Sequence, residues 1–480
     1  MTESVDADAG SAPLRFAVGI EDTFVPHESP GHRRLDEYEL TQHYQFWEHD
    51  LELVAESGAG SLRWGVPWYR VEPEPGRFEW DWVDRVVARL AELGVGCIVD
   101  LVHYGTPLWL DNAFLHPDYP KRVAEYAVAL AERHGDVLHE WTPLNEPVVN
   151  AERCGQEGAW PPYLRGDTGF AAVLLRLAEG ICRTQEALAE VRPGASFVHV
   201  DAGLRYTGEH GRREFLEHRR FLGLDLVTGA VRDGHPLAAW LSAATGDDAR
   251  LAWVRDHAVI PDVVGVNYYP AFSTTGFDEH GGTHPVEAGT AGLAELLRLY
   301  WERYRLPVMV TETSRDDTVS ARREWLADSV ACVRELRAQD VPVVGYTWFP
   351  FLDMVAWRYR ESSAPLEDFM NRMGLAGLHR EPGGGACCGG PPRRSTTSAA
   401  SPAGSGPPAP LLLSREEFTF ARRAWRAGSR RRSGAGHARV GPRSRLPGGG
   451  QRWRWDGRRA DRGRRRDERP DRREGPALRR

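Results

Sequence analysis

Cysteine is scarce: Cys97, Cys154, Cys182, Cys332, Cys387 and Cys388 are the six in a chain of 480 residues. They form no CxxC pair and no disulfide framework, so a stapled scaffold is excluded and a reduced cytoplasmic protein with no metal site is expected. No run of ~18 apolar residues occurs, so no membrane-spanning helix is expected. The opening MTESVDADAG is acidic and polar, with neither the basic nor the apolar region of a signal peptide. Residues 1–381 contain no G-x-G-x-x-G, the phosphate turn that an open doubly wound sheet would carry after an early strand. Lysine is missing from residues 382–480.

What is present divides in two. The net charge of −7 is the balance of +17 over residues 382–480 and −24 over residues 1–381. Residues 1–12 are expected to be a disordered N-terminus. Residues 13–381 are expected to form one domain. Residues 382–480 read as a low-complexity basic tail rich in Arg, Gly and Pro, disordered or the product of a shifted reading frame in a GC-rich gene. Acidic residues interleave its arginines and QRWRW (451–455) is a slight stacking platform, so nucleic-acid binding is not expected. Hydrophobic residues make up 41% of the chain, and its 17 tryptophans suit both a large core and sugar stacking.

Eight short apolar runs punctuate residues 1–381: FAVGIED (16–22), SLRWGVPW (61–68), CIVDLVHY (97–104), EWTPLNEP (140–147), SFVHVDA (196–202), VVGVNYY (263–269), PVMVTET (307–313) and VVGYTWFP (343–350). Most are β-branched or aromatic on both parities, as a strand buried on both faces should be. Amphipathic stretches at 81–94, 120–135 and 319–339 lie between them with helical spacing. The repeat predicts a (β/α)8 barrel. Polar groups close the runs: Glu21 and Asp22, Arg63 with Trp68, His103, Glu146, Asp201, Asn267 with Tyr269, Glu312, and Trp348. In such a barrel the C-terminal ends of the strands carry the chemistry.

Glu146 ends the fourth run and Glu312 the seventh, so the two carboxylates face each other across the mouth. A pair of this kind is the apparatus of glycoside hydrolysis, one group as ionised nucleophile and the other as protonated acid, later base. The nucleophile's charge raises its neighbour's pKa and keeps it protonated near neutrality.

From about Phe16 to Leu378 the sequence resembles glycoside hydrolase family 1, the β-glucosidase-like barrels. TPLNEP resembles the family's T-x-N-E-P and implies Glu146 as acid/base, with Asn145 on the sugar 2-hydroxyl. VTETS resembles its I/V-T-E-N-G and implies Glu312 as nucleophile. VGVNYYP implies Tyr269 as a hydrogen-bond donor to that nucleophile, with Asn267 nearby. LRWGVPWYRVEPEPG places Arg63 beside it. LVHYGTPLWL implies His103 as a subsite histidine, and GYTWFPFLDMVAW implies Trp348 as the sugar platform, with Trp357 after it. The resemblance implies a retaining β-glycosidase acting on a small β-glycoside, with no cofactor, metal or membrane partner; it leaves the oligomeric state open.

The sequence departs from that pattern in places. Thr313-Ser314 replaces Asn-Gly after the nucleophile, and His103-Tyr104-Gly105 replaces His-Trp-Asp. Glu21 and Asp22 stand where a glutamine grips the sugar. Ala356 replaces the glutamate that holds the 4- and 6-hydroxyls, and one residue too many separates Trp348 from Asp353. A lost hydrogen-bond acceptor costs discrimination for the group it held, so glucose is not the expected glycone and a 6-deoxy sugar suits the site better. Two other readings stand beside the enzyme: a sugar-binding barrel without turnover, and the glycosidase-like half of a fusion with a nucleotide-sugar (dTDP-4-dehydrorhamnose) reductase, of which the tail shows no dinucleotide fingerprint. FDEHGGTH (277–284) is expected to be a loop whose two histidines are solvated and bind no metal.

Overall fold

The computed structural model describes residues 13–378. The expectations for residues 1–12 and 379–480, including Cys387 and Cys388, lie outside them.

The eight runs are eight strands: β1 (Arg15–Gly19), β2 (Ser61–Gly65), β3 (Gly96–Asp100), β4 (Glu140–Thr142), β5 (Ser196–Ala202), β6 (Val263–Asn267), β7 (Val308–Glu312) and β8 (Val343–Trp348). All pair in parallel, each with its sequence neighbours, and β1 closes the ring on β8. The fold is a (β/α)8 barrel. Continuous apolar runs follow from this closure, because one face of each strand fills the barrel and the other receives helices. Inside lie Ala17, Ile98, Val198, Val200 and Met309. At the N-terminal end of the barrel Arg15 donates to Glu140 at 2.6 Å.

Among the described residues, the outer layer includes α1 (His43–Ser57), α2 (Asp81–Leu93), α3 (Tyr119–His134), α4 (Gly166–Val191), α5 (Gly289–Tyr304) and α6 (Val319–Ala338). The three helices expected from spacing are α2, α3 and α6. In α2 the apolar stripe Val83, Val86, Val87 and Leu90 is buried, and Gly94 ends the helix at φ +65° with its N–H on the carbonyls of Leu90 and Ala91.

The loops after the strands build the rim. A hairpin pairs Phe24–Val25 with Leu35–Asp36 after β1, and Met354–Val355 pairs with Met370–Asn371 after β8. A small sheet joins Arg205–Thr207, Thr274–Phe277 and Thr283–Pro285. The segment expected as a loop at 277–284 is thus the turn of a hairpin, with His280 and His284 exposed. No helix of the described residues is long and apolar enough to cross a membrane.

Candidate active site

Two backbone irregularities aim the carboxylates. After β4 the N–H of Asn145 reaches Val102 O (2.9 Å) and that of Glu146 reaches Val200 O (3.0 Å), so the neighbouring strands fix both residues. Glu146 then adopts φ +45°, a left-handed conformation rare for a side chain with a Cβ, before the short helix Pro147–Ala151. At the end of β7 the register against β6 shifts between Val310 and Glu312, and the shift sets Glu312 opposite Asn267.

Glu312 is 5% exposed. Arg63 Nη1 donates to its Oε1, and the Tyr269 hydroxyl donates to its Oε2 at 2.7 Å. Both of its oxygens thus accept a side-chain hydrogen bond. Arg63 is fully buried; its Nη2 donates to Asp100 and, at 2.7 Å, to Asn145 Oδ1. Burial works against its charge, but Asp100 and Glu312 outweigh that and raise its pKa.

Glu146 has different neighbours. Asn267 Nδ2 donates to its Oε1 at 2.8 Å and the Tyr104 hydroxyl donates to Oε2. Thr311 Oγ1 donates to Asn267 Oδ1 (2.7 Å), which fixes the amide's orientation. The Tyr104 and Asn267 hydrogen bonds and the His103 charge work to lower the Glu146 pKa, but burial, with the Glu312 charge, outweighs them and pushes it up to about 7. One carboxyl held by arginine and another left protonated near neutrality is the division of roles that acid-plus-nucleophile chemistry needs.

His103 lines the same cavity with its Nδ1 3.1 Å from Asp100 and 2.9 Å from Asp22, while its Nε2 meets Asn145 Nδ2 at 3.0 Å. Arg63 and Asn267 both donate to Asn145 Oδ1. Burial lowers the His103 pKa, yet Asp22 and Asp100 hold it well above the ordinary value. Asp22, Asp100 and His103 crowd ligand atoms within 4.8 Å. The Asp100 oxygen nearest His103 already takes the Arg63 guanidinium, so a resident cation serves this cluster.

The cavity measures about 530 Å³. Of the residues expected from sequence, Glu146, Glu312, His103, Asn267, Tyr269 and Trp357 line it, with Arg63 and Asn145 behind them. Trp357 packs with Tyr104 and Trp160, both ring centroids at 5.1 Å.

Trp348 is placed elsewhere, which corrects its expected role as platform. It is fully buried, and its indole N–H donates to Met373 O at 3.1 Å. The register against β7 shifts near the start of β8, and beyond it Tyr346 turns outward to Ser329 on α6. Trp348 shares that outward parity. The inward residue is Phe349, whose ring lies parallel to His103 and 5.2 Å from the Arg63 guanidinium carbon. The extra residue between Trp348 and Asp353 is the sequence trace of this offset.

Tyr104 and Asp100 were not singled out by sequence reasoning. The replacement beside His103 was Tyr104's signal. Gly105 follows it because a Cβ there would lie 1.4 Å from Phe24 O.

Residues 18–181 match the family model described as glycosyl hydrolase family 1. A bifunctional β-D-glucosidase/β-D-fucosidase of Bifidobacterium breve is 34% identical over 167 residues, 32% of this chain and 36% of that protein. β-Glucosidase A of Thermotoga maritima is 32% identical over 129 residues, 26% and 29% of the two chains. Together these findings support glycosyl hydrolase family 1. The chain spans about a third of the length of these curated relatives. In structure, a family 1 β-glucosidase from Thermotoga maritima superposes with a TM-score of 0.65 at 21% identity, over 76% of this chain and 93% of that one, and shows the same fold. The family 1 match includes Arg63, His103, Asn145 and Glu146. It ends before Asn267, Tyr269 and Glu312.

Proposed function

We propose that this chain is a family 1 glycosidase that hydrolyses small β-glycosides with retention of anomeric configuration. One observation carries the reading: Glu312 and Glu146 line one cavity with opposite electrostatic support, the first on Arg63 and Tyr269, the second raised to about 7 by burial and by Glu312.

The steps follow from those contacts. Glu312, ionised, attacks the anomeric carbon; the glycosidic C–O bond breaks as Glu146 gives its proton to the departing oxygen. Glycosylation of Glu312 removes the negative charge that helped raise Glu146, whose pKa then falls and fits it to take a proton from water. That water attacks the anomeric carbon, the sugar leaves, and Glu146 is protonated again. Asn145 and Asn267 stand beside the carboxylates to hold the sugar ring, and Trp357 and Phe272 offer apolar surface on the cavity wall. Ala356 lines the cavity where the resemblance expects a glutamate for the 4- and 6-hydroxyls, so a 6-deoxy glycone is favoured over glucose. The Bifidobacterium relative is described as a bifunctional β-D-glucosidase/β-D-fucosidase, a description that includes a 6-deoxy glycone beside glucose.

The test is nitrophenol release from β-glucoside, galactoside, fucoside, mannoside and xyloside. Turnover of the fucoside above the glucoside is expected, with Glu312→Ala lowering kcat by about 10³ or more and azide restoring release as a glycosyl azide. Folded protein that turns over none of the panel would leave the sugar-binding reading in its place.

A further inference from the structure

The glycone end of the cavity holds more negative charge than catalysis uses. Glu21 lines the cavity and is 5% exposed. Its Oε1 takes the Thr23 N–H (3.2 Å) and the Thr23 hydroxyl, while no protein donor among the described residues reaches its Oε2. Behind it Glu37, fully buried, accepts the Val355 N–H on Oε2 at 3.1 Å, and its Oε1 has no donor. Asp22, also buried, leaves Oδ2 without a hydrogen-bond donor. Two cations face this group, Arg63 and His103. Arg63 is committed to Asp100 and Glu312, and His103 to Asp22 and Asp100.

Buried carboxylates with open oxygens must carry protons or meet a positive partner, because an unpaired buried charge is costly. Burial, the largest influence, pushes Glu21 up to about 7 and Asp22 up to about 6, with Glu37 further above its ordinary value. Such groups hold protons that a cationic ligand displaces. A neutral hydroxyl can donate one hydrogen bond to Glu21 Oε2. An ammonium donates more and supplies the missing charge.

We propose, resting on the glycosidase reading above, that Glu21 is a specificity-determining residue which selects a glycone bearing an amino substituent away from the anomeric carbon, with Glu37 and Asp22 as the buried counter-charge behind it. No bond is made or broken by this contact. One proton leaves the carboxyl cluster as the ammonium arrives.

Calorimetry on the full chain at about pH 6.5 tests it, with methyl β-glycosides carrying an amino group at C-3, C-4 or C-6, each against its hydroxyl parent. At least one amino glycoside is expected to bind about tenfold tighter than its parent, and Glu21→Gln to reduce that preference below about threefold. Repeating the titration in buffers of different ionisation enthalpy should show proton release with the amino ligand and none with the parent. Failure of every amino glycoside to bind more tightly than its parent overturns the proposal, as does a preference that survives Glu21→Gln. If Glu21→Gln does not fold, absence of proton release in the wild type overturns it. Binding preference without nitrophenol release would sink the glycosidase reading alone, and turnover without amine preference would sink this inference alone.

Discussion

Glu146 and Glu312 are one chemical group in two environments, and the difference is set by single contacts. Tyr269→Phe removes a donor from Glu312 Oε2 and should lower kcat by roughly 10–100-fold with the fold intact, which steady-state kinetics beside circular dichroism will show. Arg63→Lys keeps the charge but cannot serve Glu312, Asp100 and Asn145 at once; a loss of about 10² or more in kcat/KM is expected. Proton donation by Glu146 requires kcat/KM to fall above about pH 7, where that carboxyl loses its proton. The Tyr104 hydroxyl bond favours the ionised form of Glu146, so Tyr104→Phe should move that basic limb to higher pH. A limb that moves to lower pH, or does not move, would separate Tyr104 from the acid. Arg63, Asn145, Glu146, Asn267, Tyr269 and Glu312 were legible as strand-end polar groups, because a polar side chain at the end of a buried strand has few structural reasons to be there. Glu37 was not legible. It sits outside the barrel strands in the short helix Glu37–Leu40 and reaches the site only through the fold.

Elements carried most of the sequence signal. All eight strands were readable because barrel strands bury both faces and so write continuous apolar runs. The two-residue strands of the rim, such as Phe24–Val25 with Leu35–Asp36, have no period to read. Trp348 shows a second limit. The register shift at the start of β8 reverses which parity faces inward, and the run VVGYTWFP is apolar on both parities, so the extra residue before Asp353 was the sequence mark of Phe349 as the inward ring. The rim also constrains the site. The Phe24 N–H is bonded to His103 O at 3.1 Å, so the hairpin after β1 and the loop after β3 are pressed together at Gly105. Gly105→Ala must push them apart. It should lower Tm and reduce kcat through displaced His103 and Tyr104, whereas Gly76→Ala, at a rim position with open space, tests backbone conformation alone and should cost less.

For the whole molecule, the buried carboxyls make stability depend on pH in a defined direction. Glu21, Asp22 and Glu146 have folded pKa values raised by burial to about 7, 6 and 7, above their values in the unfolded chain. Groups of this kind give stability that is fully present below the unfolded pKa and is lost as pH rises through the folded one. Thermal melts should therefore show Tm falling between about pH 5 and pH 8, and Glu146→Gln should flatten that slope; a Tm that rises over this window would contradict the buried charge balance. In the proposed mechanism, the Glu312 charge that costs stability at Glu146 is the charge presented to the anomeric carbon. The central claim is a covalent glycosyl–Glu312 intermediate, and its direct test is proton NMR of the first sugar released from the best-cleaved nitrophenyl β-glycoside. Attack by Glu312 and then by water inverts the anomeric carbon twice, so the β-anomer must appear first and the α-anomer only later by mutarotation. The α-anomer appearing first would contradict the account, because it would mean that water, and not Glu312, makes the new bond.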